Sequence, residues 1–189
     1  MEQRLRRAPP RGGAVEQPHG QGLVLHISWQ KFLSMEQKQK KVLDRLQAQC
    51  SRREDCIKDI REKALKALDG DADAAAALVR SLVEDGFVDE SRYAGAFARE
   101  KAHLTGWGPL KISAALRAKG LPDDVVKAAL AELPDDAEAA AKLEAVLRAK
   151  LRSVEGEPDA KLRLLKFALG RGYEYNQVKS AVDNIYEKN

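Results

Sequence analysis

The sequence resembles itself at a spacing of 52 residues, and that recurrence limits the fold more than any other feature. Lys111 and Ile112 correspond to Arg163 and Leu164, Lys119-Gly120-Leu121 to Arg171-Gly172-Tyr173, Val126 to Val178, and Ala129-Leu130 to Ala181-Val182. Ile60 precedes Ile112 by the same interval, although the helix that follows it falls out of register by a few positions. A period of this length marks a repeated supersecondary unit, and a unit so small cannot bury much surface alone. Neighbouring units are therefore expected to stack.

The residue types say what each unit is made of. Only 5% of the chain is aromatic, while Ala, Leu, Lys, Arg and Glu are abundant. These side chains lose little freedom in a helix, and few β-branched runs compete with them. In the middle of the chain, Gly86 suits a helix stop at positive φ, Asp89 an N-cap, and Glu90 the first-turn dipole. A helix from about Glu90 to His103 places Tyr93, Ala94, Phe97, Ala98 and Leu104 near one face. Gly106 and Gly108 break it, Pro109 fits the first turn of the next helix, and that helix buries Ile112, Ala115 and Leu116. Gly120 and Leu121 read as a glycine stop with a hydrophobic clasp, and Pro122 opens a third helix presenting Val125, Val126, Ala129 and Leu130.

Residues 35–86, 87–133 and 134–189 thus read as three tandem three-helix units. The expected fold is all-α, three tandem three-helix repeats stacked into an elongated curved array. Residues 1–34, with Pro9, Pro10, Pro18 and several glycines, have the composition of a disordered basic tail or of a mis-assigned upstream extension, with Met35 as the real start.

Charge is uneven. The net charge is +4 and the isoelectric point about 9.0, but most of the excess lies in residues 1–35, where Arg4, Arg6, Arg7, Arg11 and Lys31 face only Glu2 and Glu16. The remainder is nearly neutral and patterned: no acidic residue falls between Glu100 and Asp123 or between Asp159 and Glu174, whereas acids gather at helix starts. Cys50 and Cys56, with only three histidines elsewhere, form neither a disulfide framework nor a zinc pattern. No apolar run approaches the roughly 20 residues that span a bilayer, and residues 23–29 lack a secretory cleavage pattern. A cytoplasmic protein with reduced structural thiols is expected.

The spaced elements Gly86-Phe87, Asp89-Glu90, Arg92-Tyr93-Ala94, Phe97, Gly106-Trp107-Gly108, Lys111-Ile112, Leu116 and Lys119-Gly120-Leu121 resemble the hallmark of the RecX family of RecA recombinase regulators. The resemblance implies three stacked three-helix repeats and a RecA filament on single-stranded DNA as partner. It also implies weak binding to single- or double-stranded DNA, a monomer, and a damping of recombination, ATP turnover and the damage (SOS) response.

Motifs for catalysis are missing. There is no phosphate loop, no nucleophile elbow and no metal-ligand pattern, so neither an enzyme nor a cofactor or metal is expected. His103 at a helix end reads as a solvated or dipole-stabilised imidazole, and Trp107 as core packing. The candidate residues for a partner or DNA are basic: Arg92, Lys101, Lys111, Arg117, Lys119, Arg148, Arg152, Arg163, Lys166 and Arg171. Arg92 and Lys101 have no evident local duty. Arg163 and Lys166 share an outward flank at 100° per residue, and Lys111 stands at the position equivalent to Arg163. Solvated surface is the bland reading of each charge alone; capping of the last helical carbonyls competes at Lys119 and Arg171, and Arg148, Lys150 and Arg152 complement the dipole at a helix end. A helix-turn-helix DNA-binding protein is the main alternative, and an α-solenoid scaffold for proteins the second; the first is disfavoured by the absence of a recognition stripe rich in Asn, Gln and Arg.

Overall fold

Gly, Pro and Asp residues cut this chain into helices, and the cuts are local chemistry. A computed structural model describes residues 21–134 and 136–187, which are helical or in the turns between helices. The helices are α1 (Gln21–Cys50), α2 (Ile57–Ala67), α3 (Ala72–Glu84), α4 (Glu90–Leu104), α5 (Pro109–Ala118), α6 (Asp123–Ala131), α7 (Asp136–Leu151), α8 (Ala160–Gly170) and α9 (Tyr175–Glu187). The fold is all-α, with no strand among the described residues. None of these helices is long and apolar enough to cross a membrane.

The expected joints are present. Asp71 and Asp89 each accept a backbone N–H three residues on, from Ala74 and Arg92 at 2.9 Å, which closes one of the open donors of α3 and α4. Gly86 and Gly120 take positive φ, +74° and +88°, where a side chain would clash with the following carbonyl. Leu121 then tucks under α5, with its N–H on the Leu116 carbonyl at 3.3 Å and its side chain buried. Pro109 sits in the first turn of α5, as its missing N–H allows.

The chain divides into two units, Met1–Lys38 and Gln39–Asn189. In the first, the described residues are the opening turns of α1; residues 1–20 of the expected basic tail lie outside the described residues. Helix is already present at Gln21, upstream of the expected boundary near Met35. After Gly22 neither glycine nor proline occurs before Gly70, so nothing in the backbone chemistry opposes a helix there.

The second unit holds three cores. The first joins Leu46 of α1, Ile60 and Ala64 of α2, and Leu78 and Leu82 of α3 with Val88. The second joins Ala94 and Ala98 of α4, Ile112 and Leu116 of α5, and Val126 of α6. The third joins Leu143 and Leu147 of α7, Leu164 and Ala168 of α8, and Val178, Val182 and Ile185 of α9. Each core is thus the shared apolar face of three consecutive helices. Leu104 departs from the expected face: at the last residue of α4 it is 80% exposed. Its helix ends there, so no following turn carries it back over the core.

Candidate partner interface

Long basic side chains at helix ends can serve a partner or bind the chain to itself, and their immediate neighbours decide which. Lys119 follows α5, and its Nζ reaches Asp59 of α2, 2.7 and 2.8 Å from the two carboxylate oxygens. That hydrogen bond is the main cause of the raised pKa of Lys119. Lys58 of α2 answers by donating to the Ala118 carbonyl at 3.0 Å. The Cys56 side chain, from the turn before α2, lies inside the second core. Together these contacts join the first helix triplet to the second.

The next joint uses equivalent positions with different chemistry. Arg171, the counterpart of Lys119, donates from Nη1 to the Thr105 carbonyl beyond α4 and stacks over Phe167, 4.9 Å from the ring centre. Lys111 donates to the Gly170 carbonyl at 3.2 Å and lies 4.7 Å from the centre of the Trp107 ring. Backbone meets backbone as well: the Gly108 N–H bonds to the Arg171 carbonyl at 2.8 Å, and the Leu110 N–H to the Gly172 carbonyl at 3.1 Å.

The other candidates divide by their neighbours. Arg92 has a local duty that spacing did not disclose: it bonds to Glu54 Oε1 at 3.1 Å and to the Gly86 carbonyl at 2.9 Å. The hydrogen bond to Glu54 raises its pKa. Lys101 pairs with Glu100 at 2.7 Å and faces Phe97 and Trp107, which touch edge to face, so it too is locally engaged. Arg117 bonds to Asp123 and to Ser113 Oγ, both at 2.7 Å, and Arg148 to Glu144 at 2.7 Å. Arg163 is held by Glu157 at 2.6 Å and Asp159 at 3.0 Å, and the Asp159 hydrogen bond is the main cause of its raised pKa. Arg152 and Lys166 are exposed and have no side-chain partner among the described residues. Of the ten candidates, Lys101 and Lys111 share the Trp107 ring.

The buried carboxyl nearby has a structural role. Asp55, 5% exposed, accepts from Gln49 at 2.6 Å, Lys63 at 3.0 Å and Arg53 at 3.2 Å. Burial alone would raise its pKa; the three hydrogen bonds outweigh it and hold the carboxyl below its usual value. Both cysteines are free and buried, and burial pushes their thiols up, which makes them poor nucleophiles. No group of three or more metal-ligating side chains occurs among the described residues.

Sequence reasoning passed over Lys58 and Lys142, and read Lys150 only as complementing the dipole at a helix end. Lys58 is the early-unit counterpart of Lys111, one residue out of register. Lys142 and Lys150 lie two turns apart on α7, and the former sits 2.6 Å from His103 Nδ1. An i, i+8 pair on one helix was the available signal.

Residues 89–130 match the family model described as RecX, second three-helix domain. The regulatory protein RecX of Chromohalobacter salexigens is 30% identical over 116 residues, 61% of this chain and 74% of that protein. That of Thermus thermophilus is 38% identical over 109 residues, 58% and 68% of the two chains. That of Xanthomonas citri is 40% identical over 85 residues, so this chain spans about half of it (51%). Among solved structures, a crystal structure of regulatory protein RecX superimposes with a TM-score of 0.70 at 19% identity, covering 81% of this chain and 75% of the other. RecX from Lactobacillus salivarius does so with a TM-score of 0.65 at 18% identity, covering 79% and 97%.

Proposed function

Because this chain belongs to the RecX family of regulatory proteins, we propose that it binds the RecA filament assembled on single-stranded DNA and restrains its recombinase and ATPase activities. The observation that carries this reading is the match of residues 89–130 to a RecX three-helix domain, the stretch that holds α4, α5 and all but the last residue of α6. A surface on which basic residues alternate with acidic helix starts suits a partner made of both protein and phosphate. Within it, Arg152 and Lys166 are the candidates whose charge is spent on no neighbour among the described residues, and we assign them to the partner contact. Weak binding to DNA itself follows from such residues through release of counterions.

The test is ATP hydrolysis by RecA on single-stranded DNA with this protein added. Hydrolysis should fall at micromolar protein, and Arg152→Gln combined with Lys166→Gln should blunt that fall without lowering the melting temperature. Unchanged hydrolysis with the unaltered protein would overturn the reading.

A further inference from the structure

A cleft of about 480 Å³ opens between the C-terminal end of α4 and the helices α7 and α8. His103, Lys142, Lys150 and Arg171 line it, and no carboxylate does. Glu138, the acidic neighbour of Lys142 at 3.5 Å, lies outside the lining.

The end of a helix should make such a place negative, because its last carbonyls carry the macrodipole's partial charge. Two of the carbonyls at this end are covered. The Lys101 carbonyl accepts from the Trp107 N–H at 3.0 Å and from Thr105 Oγ at 2.6 Å, and the Thr105 carbonyl accepts from Arg171. What the cleft presents is therefore spare donors. Arg171 gives one nitrogen, Nη1, to that carbonyl and keeps Nε and Nη2. Among the described residues the Lys150 ammonium contacts the face of Phe167, 5.8 Å from the ring centre, and a cation on a ring keeps its N–H groups for another acceptor. Lys142, a pure donor, places its Nζ 2.6 Å from His103 Nδ1. Leu104, 80% exposed, stands on the rim.

We infer that this cleft is a binding site for a phosphate group of single-stranded nucleic acid. Several point-charge and fork donors converge on a concave surface with no carboxylate in its described lining, which is the chemistry a phosphodiester needs. The exposed Leu104 offers apolar surface to a base or sugar next to that phosphate. The site rests on the cleft alone, so it and filament regulation can fail separately.

The experiment titrates a fluorescent oligothymidylate with the full chain across a range of salt. Lys142→Gln with Lys150→Gln is compared with Lys41→Gln and Lys66→Gln, which remove the same charge from exposed sites outside the cleft. The cleft pair should weaken binding about tenfold and flatten the plot of log K against log salt by about 0.7, the slope for one phosphate neutralised on a single strand. The control pair should do neither. Equal losses for both pairs would overturn the site. So would inorganic phosphate that raises the melting temperature of the unaltered chain but not of the cleft variant while oligothymidylate binding stays equal, because the cleft would then hold a free anion. If the cleft pair melts early, Lys150→Gln alone takes its place, with about half the change in slope expected. RecA ATP hydrolysis measured on the same proteins separates this result from the fate of the regulatory reading.

Discussion

The two joints between helix triplets occupy equivalent places and are built differently. At the first, the contacts run through charged side chains: Lys119 to Asp59, Lys58 to a carbonyl, Arg92 to Glu54. At the second, two glycines bring the backbones of the α4–α5 turn and the α8–α9 turn into direct hydrogen bonding. Side-chain pairs tolerate small shifts and are screened by salt, whereas a backbone contact fixes its geometry and excludes any Cβ. The second joint should therefore be the stiffer one in sequence space, and the first the one that responds to solution conditions.

Glycine substitution gives the largest expected effect and tests that contrast directly. Gly120 and Gly172 are repeat counterparts with nearly the same φ, +88° and +86°. A Cβ on Gly120 would meet nothing within 4 Å, but one on Gly172 would come within 2.9 Å of the Lys111 Cα. Gly120→Ala should cost about 1 kcal/mol, the price of a left-handed residue. Gly172→Ala adds a backbone clash and should cost about 3 kcal/mol. Chemical denaturation of both variants checks it; equal losses would mean that the second joint is no tighter than the first.

Asp55 probes the first joint through the turn that supplies it. That turn delivers Glu54 to Arg92 and Cys56 to the second core, and Asp55 pins it from inside. Asp55→Asn should cost about 2 kcal/mol, the range for hydrogen bonds to a charged acceptor. Because the folded pKa lies below the unfolded one, the carboxylate's contribution is complete above the unfolded pKa, near 4. It is lost as pH falls through the depressed folded value. Denaturation of the unaltered protein and Asp55→Asn at neutral and acid pH should therefore converge below pH 4. A gap that persists there would assign the effect to packing.

Much of this architecture is legible in the sequence because it is local. Gly86, Asp89, Pro109 and Gly120 each announce a joint through their own backbone chemistry, and Ile112, Leu116 and Val126 announce the core through helical period. The stacking was not legible. Nothing in the spacing tells that Cys56 enters the second core, that Arg92 reaches back to Glu54, or that Lys119 finds a carboxylate 60 positions away. Recurrence alone does not separate a partner contact from an internal one: Lys111 shares a repeat position with Arg163, and within this chain it donates to the Gly170 carbonyl of the next unit. Arg163 has no triplet after it among the described residues and turns to Glu157 and Asp159 instead.

The smallest effect belongs to Lys119. Its pair with Asp59 is about one-third exposed, with 36% and 27% of the two side chains accessible, so solvent takes back much of its Coulomb energy. Lys119→Met keeps the apolar stem and should cost about 0.5–1 kcal/mol at low salt. With Asp59 charged, the raised pKa of Lys119 places the pair's contribution below the ordinary lysine value, and it is lost as pH rises through the folded pKa. Salt separates the joints more sharply than pH. At molar salt the Debye length shrinks to about 3 Å, so the difference between Lys119→Met and the unaltered chain should close, while that for Gly172→Ala should not. A Lys119→Met loss as large at high salt as at low would make the first joint a packed contact like the second, and the contrast between them would go.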